Sequence, residues 1–213
     1  PGGWMDVIAS LGGTGGRMTA AGVHTTGGKT DGRIGKITMG GTGGNGGVGG
    51  EGKSSIGGSG GNGGDAYTAG ISAAGGELEL EVAGMDISVY GGDGGSIGLM
   101  TKSTENVAAT GKVQATGGTG GTASAFGLDN WEANSKLVAA ADIKITAVGG
   151  KGGGSNYDGI SKSDFTEAER GVIANEIATG TGGTAMAAGI QNTAGSLQAT
   201  VQKLQISATG GMG

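Results

Sequence analysis

Few side chains in this sequence could do chemistry. Residues 60–68 read Gly-Gly-Asn-Gly-Gly-Asp-Ala-Tyr-Thr. They fit the pattern GGxGxDxUx, in which backbone carbonyls and Asp carboxylates supply the hard oxygen ligands that calcium takes. Asp65 is the candidate ligand. The pattern works in consecutive copies, because each ion is shared between adjacent turns. The other glycine-rich stretches carry Arg17, Ser96, Thr122 and Gly154 at the place of Asp65. Asp65 therefore stands alone, as a calcium ligand or as a polar turn residue. Asp158, Asp164, Glu167 and Glu169 cluster near Lys162 and Arg170. Paired carboxylates carry acid–base chemistry in glycoside hydrolysis, but these lie on a variable stretch that reads as a solvated acidic loop, and no catalytic residue is assigned. Gly52-Lys53-Ser54 ends a glycine run without the helix that a phosphate-binding loop must open. His24 is the only histidine and has no nucleophile to serve. The large side chains Trp4, Trp131, Tyr157 and Phe165 stand off the repeating frame. Loop aromatics suit contact surfaces, so Trp131, Tyr157 and Phe165 are candidate contact residues, with capping of a sheet edge as the alternative.

Composition limits what can position these residues. Of 213 residues, 56 are Gly, one is Pro and none is Cys, and aromatics make up 3%. Collagen needs abundant Pro and Gly at every third position throughout. Without Cys there is neither a disulfide framework nor a thiolate metal site. A chain so rich in Gly stays disordered unless regular backbone pairing offsets its entropy. The evenly recurring Ile, Val and Leu favour pairing. The net charge of −5, from 18 acidic and 13 basic residues, offers no basic stripe for nucleic acid. No apolar run approaches the roughly 18 residues of a membrane-spanning helix.

The positioning elements are repeats. The motif GG-x-GG begins at Gly12, Gly60, Gly91, Gly117 and Gly149, with a degraded copy at Gly180 and a further start at Gly210. From Gly60 onward the spacing is about 30 residues, a period typical of stacked repeats. Six residues beyond the motif comes a Gly followed by an aliphatic: Gly22-Val23, Gly70-Ile71, Gly127-Leu128, Gly159-Ile160 and Gly189-Ile190; only the copy at Gly91 departs, with Gly98-Leu99 three residues on. Ahead of it stand Ile8, Ile87, Val113, Ile145 and Ile206, with Ser10, Val89, Ala115, Ala147 and Ala208 two residues later. That alternation, like Glu77-Leu78-Glu79-Leu80-Glu81-Val82, marks strands with one buried face.

A unit of this length cannot bury its apolar face alone, but stacked units can. The expectation is an all-β fold: a parallel β-solenoid of about seven coils of about 30 residues, with the glycine segments stacked beside the strands. Residues 1–213 form a single repeat domain, a portion of a longer chain, with a glycine-rich expansion over 40–64. Residues 40–52 read GGTGGNGGVGGEG. This three-residue period is that of a polyproline-II-type helix, so polyglycine-II segments are expected there. For isolated motifs, tight corners with positive φ are the alternative.

Strands such as 86–92 (DISVYGG) and 142–150 (DIKITAVGG) resemble units of filamentous-haemagglutinin-like surface adhesins, a likeness of repeat style over most of the chain. That resemblance implies a secreted bacterial β-helical fibre, extracellular or at the cell surface. The 40–50 run resembles the polyglycine bundles of phage tail-fibre adhesins, where glycine helices hold recognition loops. The expected function is a structural, adhesive fibre segment or filament subunit. Its partners are neighbouring copies, adjoining repeats or cell-surface molecules, without nucleic acid, membrane insertion or a cofactor other than calcium at Asp65. Stretches 102–106, 130–136 and 156–170 are candidate contact inserts. The alternative is a phage-type receptor-binding adhesin.

Overall fold

The structure, a computed structural model, describes residues 11–50, 52–53, 58–98, 100–101, 115–132, 136–138, 140–155, 167 and 177–213. Its strands pair in parallel throughout. One sheet holds β1 (Met18–Thr25), β4 (Ala66–Ala73), β8 (Ala123–Asn130) and β12 (Ala185–Asn192), in that order. The second is led by β2 (Lys29–Thr42), β5 (Glu77–Tyr90), β10 (Ala140–Val148) and β14 (Thr200–Thr209). The short strands β9 (Lys136–Val138) and β13 (Ser196–Leu197) extend its later rows. Two small pairs lie apart: β3 (Gly52–Lys53) with β6 (Met100–Thr101), and β7 (Ala115–Thr116) with β11 (Ile177–Ala178). The chain thus passes through four tiers, each contributing one strand to each main sheet.

The two main sheets enclose the core. Along β5 the alternation read from sequence is realised, with Leu78, Leu80 and Val82 buried and Glu77, Glu79 and Glu81 exposed. Stacked registers make side-chain ladders: Ile37, Met85, Ile143 and Leu204 form one, and Met39, Ile87, Ile145 and Ile206 the next. In the facing sheet Val23, Ile71, Leu128 and Ile190 are in register. The glycine before each of these aliphatics has a specific task. A methyl on Gly70 would meet Ile87 Cδ1 and Met85 Sδ, and one on Gly127 would meet Ile143. The glycine and the aliphatic after it both address the core, so the alternation slips by one residue at that point. Only a residue without a Cβ leaves room for the Ile and Met side chains of the opposite sheet.

At one end of the first, second and fourth tiers the chain turns sharply between the sheets. Gly28, Gly76 and Gly195 hold equivalent corners with φ of 77°, 82° and 84°, a left-handed conformation that glycine adopts without steric cost. At the other end the strands run into glycine segments that have no strand character. Segments 11–17, 58–65, 117–122 and 179–184 lead into the first sheet, and 43–50, 91–98, 149–155 and 210–213 leave the second. They form two rows. Within a row, every third N–H donates to the next tier: Gly43 to Tyr90, Gly46 to Asp93 and Gly49 to Ser96, at 2.8–3.0 Å. Between rows the segments run antiparallel, with Gly58 donating to Gly50, Gly61 to Gly47 and Gly64 to Gly44. This pairing has the three-residue period of a polyproline-II-type helix. In the interior segments the two glycines of a triplet face backbone: a methyl at Gly61 would collide with the carbonyl of Gly13, and one at Gly60 with that of Gly95.

Two expectations change. The unit that stacks is not about 30 residues long, and the strands do not divide into seven coils: Met18 lies opposite Ala66, Ala66 opposite Ala123, and Ala123 opposite Ala185. The spacing of about 30 residues is a half-repeat, because each tier crosses the glycine layer twice, in opposite directions. Nor are the motifs corners. Among the described residues, positive φ occurs at Gly28, Gly75, Gly76 and Gly195, all outside GG-x-GG.

Candidate functional site

The chain has seven aromatic residues among its Trp, Tyr and Phe; two of them hydrogen-bond one carboxylate of the first sheet, and a third ring packs against one of those two. Tyr67 lies on β4, Phe126 and Asp129 on β8, and Trp131 directly after β8. The rings of Tyr67 and Phe126 are 5.4 Å apart, tilted by 40°, within the range of favourable aromatic pairs. Asp129 is fully buried. Its Oδ2 accepts hydrogen bonds from the Tyr67 hydroxyl and from Trp131 Nε1, the latter at 2.7 Å. Its Oδ1 has no hydrogen-bond partner among the described residues. Burial raises the Asp129 pKa above the ordinary carboxylate value, against the two donated bonds, which lower it. The Tyr67 hydroxyl is raised as well, by burial first and then by the hydrogen bond to Asp129 and the charge it carries. The indole of Trp131 is pinned at its nitrogen, and its backbone N–H donates to the Ala73 carbonyl at 2.9 Å. Its ring remains 46% exposed. Trp131 is thus the exposed ring of the cluster, fixed at its nitrogen by the buried Asp129 carboxylate, while Phe126 is buried.

A second pattern lies on the outer faces of the glycine rows. The third residue of each triplet points away from the lattice, so its N–H has no glycine partner. Side chains of the preceding tier take that place. Ser59 Oγ accepts from the Thr116 N–H, Asn62 Oδ1 from Thr119 and Asp65 Oδ1 from Thr122, at 2.8–3.1 Å. On the other row Asn45 Oδ1 accepts from Asp93, and Asp93 Oδ1 from Lys151. Short acceptors at these positions are part of the stacking.

The structure thus gives Asp65 a definite partner, the Thr122 N–H. The equivalent positions in the other tiers are Arg17, Thr122 and Thr184, which bring no second carboxylate. Among the described residues no group of three or more His, Asp or Glu side chains could hold a metal ion. Trp131 is exposed at a defined place. Tyr157 and Phe165 lie outside the described residues, as do Trp4, Asp158, Asp164, Glu169 and the inserts 102–106 and 156–166, while Glu167 is exposed. His24 is exposed in register with Ser72. Sequence reasoning missed Tyr67, Phe126 and Asp129. Their signal was size: Tyr67 is in register with Thr19 and Ser124, and Phe126 with Ala69 and Ala188, so each is a large residue in an otherwise small ladder.

On the second sheet, Lys29, Asp31 and Arg33 lie opposite Glu77, Glu79 and Glu81 and line a shallow charged groove. Arg33 and Glu81 pair at 2.7 Å but are largely exposed, so the pair contributes about 0–1 kcal/mol. No family model, curated protein or solved structure matches the chain.

Proposed function

We propose that this protein is a structural and adhesive segment of an extracellular bacterial surface fibre, and that stiffness is the property it supplies. In this reading the four tiers are coils of a parallel β-solenoid. The double glycine row is the observation that carries it. Each interior segment bonds through its backbone to the next tier in its own row and to two segments of the facing row. Sliding one tier would break many such bonds together, and a buried unpaired backbone group costs about as much as a lost hydrogen bond. The arrangement uses no large side chains, which accounts for a composition poor in aromatics. The partners are neighbouring copies or adjoining repeats, and no reaction is assigned. Small-angle scattering and electron microscopy test the reading: particles of constant cross-section and fixed shape are expected, and an expanded, flexible chain would refute it.

The Trp131 cluster favours a second reading, a phage-type receptor-binding adhesin on a glycine-rich scaffold. It requires a monodisperse protein that binds whole bacterial cells, with binding lost in Trp131→Ala. Equal binding by that variant would remove it.

A further inference from the structure

Gly13 and Gly16 are bare where the isolated chain does not need them to be. Among the described residues a methyl on either meets nothing within 4 Å, and neither has a positive φ. Their counterparts in later tiers are all crowded. Gly61, Gly118 and Gly180 would collide with the carbonyls of Gly13, Gly61 and Gly118 in turn, and Gly64, Gly121 and Gly183 with those of Gly16, Gly64 and Gly121. The exposed face of the first tier therefore has the shape that accepts another glycine tier.

The exposed face of the fourth tier has the complementary character. Its apolar residues continue the core ladders without cover: Ile190 is 41% exposed, Leu204 47% and Ile206 46%, whereas Leu128, Ile143 and Ile145 in the tier before are at most 1% exposed. Hydrogen-bond polarity matches too. Within both rows, N–H groups of one tier donate to carbonyls of the next. By register, the fourth tier is left with the N–H groups of Gly182, Ala185 and Gly210. The first tier is left with the carbonyls of Thr14, Arg17 and Thr42. None of these has a backbone partner of that kind among the described residues.

We infer that a second copy of this chain stacks on the fourth tier through its own first tier, head to tail, continuing both sheets and both glycine rows. Gly182 would donate to Thr14, Ala185 to Arg17 and Gly210 to Thr42 of the added copy. Leu204 and Ile206 would be covered by its Ile37 and Met39. Gly13 and Gly16 would face the carbonyls of Gly180 and Gly183. Because the contact joins two different faces, it does not close on a dimer but propagates into rods, lengthening by about 19 Å per copy at the strand spacing of a sheet. The inference rests on the scaffold reading and names its partner.

Sedimentation and electron microscopy of the wild-type chain over a concentration series, beside Gly13→Ala/Gly16→Ala and Ile206→Lys, decide it. Wild type is expected to grow into rods. Both variants should keep the wild-type circular dichroism and lose the rods. A small proportion of Ile206→Lys mixed into wild type should shorten them, because it blocks growth at one end only. A wild type that remains monomeric, a species that stops at a dimer, or rods formed equally by the glycine variant would overturn stacking. Amide exchange on the same samples separates the two ideas: a monomer with protected glycine amides loses stacking and keeps the scaffold, and a monomer with unprotected ones loses both.

Discussion

At the residue scale, the glycines differ sharply in what they do, although the sequence writes them all alike. Gly61 faces a neighbouring carbonyl, whereas Gly13 faces open space. Gly61→Ala forces backbone apart and should destabilise the chain by about 3 kcal/mol, the upper end of overpacking. Gly13→Ala should leave a dilute sample unchanged or stabilise it by about 0.4–1 kcal/mol, through the unfolded chain. Denaturant titration of the two variants tests the difference, and equal losses would contradict the lattice. Asp129 gives a pH-dependent prediction. Its folded pKa is raised, so the folded state holds the proton more tightly than the unfolded one. Stability then falls as pH rises from about 3.9, the unfolded value, through the folded value. Relative to Asp129→Asn, the wild-type Tm should decline across that interval. Parallel profiles would show that the carboxylate does not titrate as its burial requires.

At the element scale, the slip in each strand of the first sheet depends on glycine to a different degree from tier to tier. Gly127→Ala would meet the Gly189 carbonyl as well as Ile143, whereas Gly189→Ala meets only the side chain of Leu204, which stands at an uncovered edge. The first should cost about 2–3 kcal/mol and the second less than about 1. Thermal unfolding distinguishes them, and a reversed order would refute the packing described. The strands themselves were legible. Alternation at 77–82 marked the buried face, and the pairs Gly22-Val23, Gly70-Ile71, Gly127-Leu128 and Gly189-Ile190 marked equivalent places on successive strands, whereas Gly159-Ile160 lies outside the described residues. The length of the repeat was not legible, for a physical reason. Glycine segments of either direction have the same GG-x-GG composition, so outgoing and returning segments look alike and halve the apparent period. That error also hid the aromatic cluster. Tyr67 and Asp129 are 62 residues apart in sequence, and a repeat of about 30 residues does not bring β4 and β8 side by side. Trp131 could be singled out because it needed no register; Asp129, two residues before it, could not.

At the scale of the whole molecule, two kinds of order share one stack of tiers. Near the corners the two sheets face each other across an apolar core. Toward the other end the two glycine rows meet through hydrogen bonds between bare backbones. A chain with 56 glycines in 213 residues can fold this way because the entropy that glycine loses is offset by pairing on several sides. Amide hydrogen exchange resolved by residue tests this claim most directly. The N–H groups of Gly60, Gly63, Gly94, Gly118, Gly121, Gly150 and Gly153, each bonded to backbone carbonyls of another segment, are predicted to exchange as slowly as those in the centre of β5, with protection extending across segments 58–65, 91–98, 117–122 and 149–155. Exchange of these glycines at the rate of an unstructured chain, beside protected strands, would contradict it.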